Sequence, residues 1–559
     1  MQKTCANTWC RQPFEIGDRD LALLEKISPV IAGRCRIIPP PTICPDCRQQ
    51  RRWAIRNENR LYRRPCDISG ETMISIYAPD SPHRVMSQSV WLSGTVDPRE
   101  HGRRYSFTES FFPQFRALQL AVPRRGMQQM ETNENCQFIT YGSHNKNCYM
   151  VFACTSCQDV YYSSRLFFGK DAADCFMSIE GELLYECVDC QKCYRCAFCK
   201  DSVGCRESYF LDRCHGCVRC IACKNLRGKE YHMWNRPVSP EQYEQFVRTI
   251  TSTNIMRTRE EFARWKLSLP VPDANRLNAE ASTGDYLYNV KACEDCYDVH
   301  GVQHSRHCQL CGLGAADFMD CNMCGPGDLL YECIGTGPAH RNAFSIFGVH
   351  TTDVLYSENC TRCRDCFGCI DLKDAQYCIL NKQYTEEEYE SLLQKIFGQM
   401  TDAGEWGEFF PVHLSPFAYN ETIAQELFPL SREVAEERGW KWREVPAEEP
   451  SVTSLIPGAS LPETADGIPN DIVNSVIVCA ATGRPFRIIR QEIDLYRKMG
   501  LPLPRLHPDE RHRRRVALRN PRKLWARDCR KCGKSIQTSY SPDRPEIVYC
   551  ESCYLKEVY

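Results

Sequence analysis

The hydrophobic and polar positions in the middle of the chain predict short strands. Over residues 126–238 and 281–382 helical periodicity is rare, and β-type runs such as DVYYSS and SYFL alternate with closely spaced cysteines. This pattern favours a stacked, solenoid-like β-rich coil. Because buried cysteine is a small hydrophobe, cysteine ladders could line such a coil without any metal.

Helices are predicted just after each of these stretches. Ser239 and Gln242 form a capping-box pattern before an amphipathic run through Phe246, and Thr385 and Glu388 form a second one before a run through Leu393. The chain therefore alternates two β-rich blocks with two helical segments.

The two β-rich blocks are copies of each other. LLYECVDC at residues 183–190 is answered by LLYECIGT at residues 329–336, an offset of 146 residues that other cysteines share. Five cysteines of block one are replaced together in block two: Cys190, Cys193, Cys196, Cys199 and Cys205 correspond to Thr336, Ala339, Asn342, Ser345 and Thr351. Loss as a set fits a vanished metal site, while the small replacements fit a narrow packed interior.

The two ends of the chain are a second pair of copies. CPDCRQQRRWAIRNENRLYRRPCD at residues 44–67 matches HPDERHRRRVALRNPRKLWARDC at residues 507–529. Equivalent positions include Pro45 and Pro508, and Arg52 and Arg515. Each end therefore contains one version of the same module.

Composition changes how the cysteines are interpreted. The chain has 38 cysteines in 559 residues, it starts without a secretory signal pattern, and it has no apolar run of membrane-spanning length. We therefore expect a reducing, cytoplasmic setting, where cysteines bind metal; disulfides are the alternative.

The ligand sets of the two end modules are complementary. The N-terminal copy has a complete set in Cys5, Cys10, Cys44 and Cys47, whereas the C-terminal counterpart has Cys479, Gly483, His507 and Glu510. At the second site the C-terminal copy is complete with Cys529, Cys532, Cys550 and Cys553, and the N-terminal counterpart has Cys66, Ser69, Ser87 and Val90. Four thiolates in paired knuckles predict closed, structural zinc sites, with a rubredoxin-like iron site as the alternative.

The central cysteines are candidates either for further metal sites or for core packing. They are Cys187, Cys190, Cys193, Cys196, Cys214, Cys217, Cys220, Cys223, Cys293, Cys296, Cys308, Cys311, Cys321, Cys324, Cys360, Cys363, Cys366 and Cys369. The runs ending at Cys223 and Cys369 partly resemble the ferredoxin cysteine run. They have two residues, where ferredoxins have three, before the last cysteine, and no proline follows it.

Arginine-rich stretches in both end modules suggest a partner. The candidate nucleic-acid-binding residues are Arg51, Arg52, Arg56, Arg60, Arg514, Arg515, Arg519, Arg522 and Lys523. Arginines at helical spacing beside Trp53, Tyr62 and Trp525 suit RNA or a ribonucleoprotein such as the ribosome. The alternatives are another protein, or internal pairing with acidic segments such as residues 386–388 or 433–437.

Catalytic motifs are absent from the sequence. It has no phosphate-binding glycine loop, no His-Glu-x-x-His, no nucleophile elbow and no zinc-deaminase pattern. We therefore expect a non-enzymatic multi-site zinc scaffold that presents arginine-rich helices to RNA or a ribonucleoprotein, and we identify no small-molecule substrate. A zinc-dependent protein–protein adaptor is the first alternative, and an iron–sulfur redox protein is the second.

CPDCRQQRR, RNENRLYRRPCD, YCILNKQYTEEEYE and LPRLHPDERHRRRVALRNPRKLWARDC together resemble an uncharacterised family of cysteine-rich zinc-ribbon proteins from candidate-phylum bacteria. The resemblance spans nearly the whole chain and implies zinc ribbons, but no mechanism. Members are sometimes labelled CaiB/BaiF, a coenzyme A transferase family, and this sequence has no feature of that chemistry.

The predicted fold class is multidomain and β-rich with short helices: duplicated zinc-ribbon modules at both ends flank two tandem cysteine-rich, solenoid-like blocks. The predicted segments are an N-terminal ribbon module with a basic helix (1–125), block one (126–238), a helical connector (239–280), block two (281–382), a helical segment (383–444), a linker (445–470) and a C-terminal ribbon module with a basic helix (471–559).

Overall fold

The computed structural model of the chain describes residues 1–128, 132–312, 314–444 and 455–559. The described helices are α1 (Asp18–Ile27), α2 (Pro45–Trp53), α3 (Gln88–Ser93), α4 (Phe111–Ala121), α5 (Pro240–Arg248), α6 (Ser252–Trp265), α7 (Glu386–Asp402), α8 (Ile423–Leu427), α9 (Arg432–Glu437), α10 (Arg490–Met499), α11 (Pro508–Val516) and α12 (Glu551–Val558). Among these residues, no helix is both long and apolar enough to cross a membrane.

Strands account for most of the regular structure between the helices. Before residue 128 they are β1 (Gln2–Thr4), β2 (Pro13–Glu15), β3 (Val30–Ile31), β4 (Arg34–Cys35), β5 (Tyr62–Pro65), β6 (Thr72–Ser75), β7 (Val85–Met86) and β8 (Arg124–Arg125). The next group is β9 (Gln158–Tyr161), β10 (Lys170–Ala173), β11 (Glu182–Tyr185), β12 (Tyr194–Ala197), β13 (Arg206–Asp212), β14 (Ile221–Lys224), β15 (His232–Met233), β16 (Arg236–Pro237) and β17 (Val271–Pro272).

A third and a fourth group complete the list. The third is β18 (Arg276–Glu280), β19 (Gly284–Lys291), β20 (Cys296–His300), β21 (Ala315–Met319), β22 (Gly327–Tyr331), β23 (Ala339–Ala343), β24 (Thr351–Leu355), β25 (Arg364–Phe367), β26 (Gln376–Ile379) and β27 (Lys382–Gln383). The last is β28 (Leu455–Pro457), β29 (Val476–Val478), β30 (Pro485–Phe486), β31 (Trp525–Asp528), β32 (Ser535–Thr538) and β33 (Val548–Tyr549). The prediction of a β-rich chain with short helices is confirmed.

The chain forms two compact units, each drawn from separate parts of the sequence. Unit one contains residues 1–127, 274–443 and 522–525, and unit two contains residues 128–273, 444–521 and 526–559. The N-terminal module is thus grouped with block two, and most of the C-terminal module with block one. Residues 445–454 of the predicted linker lie outside the described residues, and Leu455–Pro457 pairs in parallel with Val476–Val478.

Each unit contains a long parallel ladder of short strands. In the first ladder (residues 134–237) Lys170 lies opposite both Gln158 and Glu182, so each strand pairs with the strand twelve residues away. In the second ladder (residues 276–383) the spacing is also mostly twelve, as between Ala315 and Gly327. A left-handed backbone conformation recurs at every third residue, for example at Met177, Glu180 and Leu183, with φ of 55°, 51° and 56°.

Small side chains fill the inside of both ladders at intervals of three residues. In the first ladder Cys187, Cys190, Cys193, Cys196 and Cys199 are all buried and form one apolar cluster with residues such as Leu184 and Leu211. Cysteines of the second ladder form two similar clusters. A left-handed residue at every third position turns the chain tightly, and cysteine is the commonest side chain inside the first ladder, beside larger residues such as Leu184 and Leu211.

Helices cover one side of each ladder. In unit one the ladder aromatics Tyr331, Phe344 and Tyr356 pack with α4 and α7 through residues such as Phe111 and Phe397. In unit two Tyr185 and Ile221 pack with Ile493 and Tyr496 of α10. Both predicted capping boxes are confirmed: the Ser239 hydroxyl accepts the backbone N–H of Gln242, and the Thr385 hydroxyl accepts that of Glu388.

Candidate metal centres

Four cysteines converge near each end of the chain. Cys5, Cys10, Cys44 and Cys47 form the N-terminal tetrad, and Cys529, Cys532, Cys550 and Cys553 form the C-terminal tetrad; in each, all four sulphurs lie within 4.8 Å of one another. The two predicted sets of metal-ligating residues therefore converge as the sequence spacing implies. Either group could hold a metal ion.

Both tetrads combine two cysteines from the connection between two strands with two cysteines from the N-terminus of a helix. In the N-terminal tetrad, Cys5 and Cys10 lie in the connection between β1 and β2, which pair antiparallel. Cys44 is the N-cap of α2, and Cys47 lies in its first turn. In the C-terminal tetrad Cys529 and Cys532 lie between β31 and β32, and Cys550 is the N-cap of α12.

Backbone N–H groups stabilise negative charge on the sulphurs. The N–H of Cys44 donates to Sγ of Cys5 at 3.4 Å, and the N–H of Cys550 donates to Sγ of Cys529 at 3.2 Å. Burial alone would raise the pKa of Cys529, but N–H groups of Cys550, Cys532 and Lys531 lower it to about 6. This thiol is therefore ready to bind a cation as a thiolate.

Crowding of the four sulphurs has the opposite effect on other members. The pKa of Cys44 is raised by its hydrogen bond with Cys47 and by burial, and that of Cys553 is raised to about 12, first by its hydrogen bond with Cys550. Several thiolates crowded together repel one another unless a cation lies between them. An S4 set of this kind is typical of zinc or iron.

The two incomplete sites keep the same framework without the ligands. Cys66 follows β5, and its sulphur accepts the N–H groups of Ser69 and Ser87, each at 3.3 Å, while Ser87 caps α3. In the C-terminal module Cys479 follows β29, and His507 caps α11. Among the described residues, neither place gathers three or more ligand atoms.

The central cysteines are placed inside the ladders. Their thiols donate to main-chain carbonyls two residues before and nine residues after, as Cys187 does to Tyr185 and Cys196 at 3.6 and 3.5 Å. Burial raises the pKa of Cys190, Cys214 and Cys296, which keeps them as neutral thiols. Among the described residues, none of these cysteines belongs to a compact group of three ligand atoms.

Most of the candidate nucleic-acid-binding arginines are buried in ion pairs. In unit one, Arg48 and Arg52 of α2 both contact Asp320 of the ladder, at 2.7 and 3.2 Å, and all three side chains are at most 2% exposed. Arg51 contacts Glu332 at 2.8 Å, and Arg56 contacts Glu58 at 2.6 Å.

Unit two repeats this arrangement. Arg511 and Arg515 of α11 both contact the buried Asp174, and Arg519 contacts Asp189 at 2.8 Å. The burial of these side chains corrects the expectation that Arg52, Arg56, Arg515 and Arg519 are presented to a partner.

The remaining candidates have a different environment. Arg522, in unit one, contacts Asp298 at 2.8 Å and is only 10% exposed. Arg514 contacts Glu510, Lys523 contacts Asp46, and both are about half exposed. The backbone N–H of Arg60 donates to the Asn57 side chain. Exposed basic groups from this set are therefore few.

The partner carboxylates Asp174 and Asp320 are functional residues that sequence reasoning missed. They lie 146 residues apart, which is the offset of the duplicated blocks, so the repeat itself contained the signal. The acidic segments 386–388 and 433–437, considered as internal partners, do not supply the described contacts of these buried arginines. Charge alone could not identify the pairing, because the partners are hundreds of residues apart.

Comparisons with known proteins give no family for the chain. No protein-family model matches it, and no curated protein matches it at a significant level. One similar solved structure is a Desulfovibrio desulfuricans G20 protein provisionally named an acetyltransferase, with 8% identity and a TM-score of 0.10. The match covers 49% of this chain and 81% of that one. A similarity this low carries no argument about function.

Proposed function

We propose that the protein is a non-enzymatic scaffold with two structural zinc ions, one in each cysteine tetrad. The observation that carries the proposal is the geometry of the two tetrads. Tetrahedral zinc with Zn–S distances of about 2.3 Å needs sulphurs about 3.8 Å apart. The Cys10–Cys44 and Cys532–Cys550 sulphur pairs are both 3.7 Å apart.

Bound zinc would supply a fixed cross-link and no open coordination position, because four sulphurs complete its shell. In unit one, Cys44 and Cys47 would then anchor the start of α2, whose Arg48 and Arg52 reach Asp320. In unit two, Cys550 and Cys553 would anchor α12. The scaffold therefore consists of ribbons that hold helices, and of helices that pack on ladders through buried ion pairs.

We also infer that each ladder is a stack of twelve-residue coils, the solenoid-like block expected from the sequence. The regular spacing of twelve residues between paired strands and the left-handed residue at every third position support this. Burial inside the ladders, where the thiols donate to main-chain carbonyls, favours core packing over metal binding for the central cysteines. A redox role through central iron–sulfur clusters is therefore not part of the proposal.

The burial of Arg52, Arg56 and Arg515 argues against RNA binding through the basic helices. These arginines are buried and paired with carboxylates of the chain itself, so a phosphate of a nucleic acid does not reach their guanidinium groups. We therefore favour internal stabilisation as the role of these residues, and a protein as the class of any partner.

Elemental analysis of anaerobically purified protein tests the proposal. We expect two zinc ions per chain, no iron, no absorbance near 400 nm, and no co-purifying RNA at low salt. More than two zinc ions would implicate the central cysteines. Iron with acid-labile sulfide would overturn the structural-zinc assignment, and bound RNA released by salt would restore the RNA hypothesis.

A further inference from the structure

The two tetrads differ in how far solvent reaches their sulphurs. In the N-terminal tetrad Cys5, Cys44 and Cys47 are buried and Cys10 is half-buried. In the C-terminal tetrad Cys532 is exposed and Cys553 is half-buried. Two sites with the same ligands and framework are therefore unequally accessible to a reagent in solution.

Aromatic packing holds the N-terminal knuckle in place. Trp9, directly before Cys10, packs edge-on against Trp440 with ring centroids 5.6 Å apart. The Arg438 guanidinium lies 5.0 Å from the Trp9 ring and 5.2 Å from the Trp440 ring. This cluster fastens the loop of Cys10 to a distant part of unit one and restricts its opening.

The knuckle of Cys532 is an exposed basic turn. Arg530, Lys531, Gly533 and Lys534 around it are all exposed, and Lys531 is paired with Glu557. A cysteine that binds zinc does so as a thiolate, which is the form that reacts with oxidants, so the exposed Cys532 is the ligand that a reagent in solution reaches first. The sulphur of Cys550 is 3.7 Å from that of Cys532 and can act as a resolving partner.

We propose that Cys532 is an oxidation site at which a hydroperoxide releases the zinc of the C-terminal tetrad, while the N-terminal tetrad retains its metal. This inference rests on the proposed function, since it requires zinc in both tetrads. It assigns a separate role to each site: the N-terminal zinc is permanent, and the C-terminal zinc is lost under oxidative conditions.

The chemistry balances with the hydroperoxide as the only added reagent. The Cys532 thiolate attacks the outer oxygen of ROOH, the O–O bond breaks, and Cys532 becomes a sulfenic acid as RO⁻ leaves and takes a proton from water. The Cys550 thiolate then attacks the Cys532 sulphur, forms a disulfide and expels hydroxide. The sulphurs lose two electrons, the peroxide gains them, and Zn²⁺ leaves because two of its four thiolates are gone.

Loss of this zinc would loosen the end of unit two. Cys550 separates β33 from α12, and Val548 of β33 pairs in parallel with Val271 of β17. Tyr554 of α12 also donates its hydroxyl to Asn225 at 2.8 Å. Oxidation at Cys532 is therefore expected to expose the segment after β32 to proteases.

Timed peroxide treatment of the zinc-loaded full chain tests the proposal. After elemental analysis has counted the zinc, released metal is followed with 4-(2-pyridylazo)resorcinol, and oxidised cysteines are mapped by differential alkylation and mass spectrometry. We expect one equivalent to leave on the order of tenfold faster than the other, together with a Cys532–Cys550 disulfide. Because the oxidised cysteines are mapped on the unsubstituted protein, the test does not depend on whether any variant folds.

Two variants sharpen the experiment. Cys35→Ser removes an exposed cysteine outside both tetrads and should leave zinc release unchanged. Trp9→Ala removes the aromatic packing at the N-terminal knuckle and should speed release of the second equivalent. Equal release rates from both tetrads, or first oxidation among Cys5, Cys10, Cys44 and Cys47, would overturn the proposal. Protein that binds no zinc at all fails at the earlier counting step, and then the proposed function falls with it.

Discussion

Units one and two share an arginine clamp but complete different metal sites. In unit one two arginines one helical turn apart, Arg48 and Arg52, converge on Asp320, and in unit two Arg511 and Arg515 converge on Asp174. The clamp thus occurs in both copies, whereas the intact tetrad includes the start of the basic helix in unit one and follows the basic helix in unit two. One metal site per module, at the start of the basic helix or after it, is compatible with the same packing.

A third arginine shows how one copy has diverged. Arg519 of unit two pairs with Asp189, but the equivalent ladder position in unit one is Gly335. Arg56 pairs instead with Glu58, and its guanidinium lies 5.5 Å from the ring centroid of Phe347. The difference indicates that the first two arginines define the docking, while the third adapts to what surrounds it.

Loss of a metal ligand should have the largest effect on stability. Cys47→Ser should lose one zinc and unfold the N-terminal ribbon, because structural zinc contributes on the order of 10 kcal/mol to folding. Elemental analysis and guanidinium unfolding measure both outcomes. Cys66→Ser, at an incomplete site, is the matched control and should keep two zinc ions; a Cys47→Ser protein that also keeps two would contradict the assignment.

Removing the central carboxylate of either clamp should have the next largest effect. Asp320→Ala leaves Arg48 and Arg52 buried without their shared partner, so we expect a loss of about 3–5 kcal/mol in the free energy of unfolding of unit one. Asp174→Ala should cost unit two a similar amount. Both are measured by chemical denaturation.

The control for the clamp is the exposed Arg362–Asp374 pair, whose side chains are 49% and 58% exposed. Asp374→Ala should cost less than about 1 kcal/mol because solvent screens such pairs. Equal losses in Asp320→Ala and Asp374→Ala would mean that the clamp contributes no more than a surface ion pair.

Adding a side chain at Gly335, the position equivalent to Asp189, should have a smaller effect on stability. At Gly335, with φ of 66°, an added Cβ would lie 2.7 Å from both Arg56 and Phe347. Gly335→Ala should therefore cost about 2–3 kcal/mol through backbone strain and overpacking. Gly404→Ala is the control, because Gly404 has φ of 69° and no atom within 4 Å of the added Cβ. Equal melting temperatures of the two variants would show that Arg56 and Phe347 do not crowd a side chain at position 335.

The smallest expected effect is a contribution of Glu492 to the pH dependence of unit two. Burial raises the pKa of Glu492 to about 7, against a lowering by Arg511. The folded state therefore keeps a proton that the unfolded state releases near its ordinary pKa, so the stability of unit two falls as pH rises through about 7.

Unfolding of unit two measured near pH 6 and near pH 8 should show this loss, on the order of 1 kcal/mol. Glu492 accepts hydroxyl hydrogen bonds from Tyr162 and Tyr496, and Glu492→Gln offers a similar shape without a titrating group. The variant should flatten the pH profile of unit two. An unchanged slope would assign the effect to another group.

Features that depend on local spacing were determined by the sequence alone. Two cysteines with two to four residues between them can form a knuckle wherever the chain folds. The knuckles of Cys5 and Cys10 and of Cys550 and Cys553 could therefore be recognised from the sequence. The capping boxes at Ser239 and Thr385 are local for the same reason. Internal duplication was also visible, because it is a property of the sequence itself.

Only the tertiary structure decided which carboxylates the arginines contact and which end module shares a unit with which block. Arg48 and Asp320 are separated by 272 residues, and Arg515 and Asp174 by 341, so neither spacing nor charge identifies the pairs. A short helix rich in arginine has the same sequence pattern whether it faces RNA or a buried carboxylate. The difference is burial, which depends on the ladder packed against the helix and not on the helix itself.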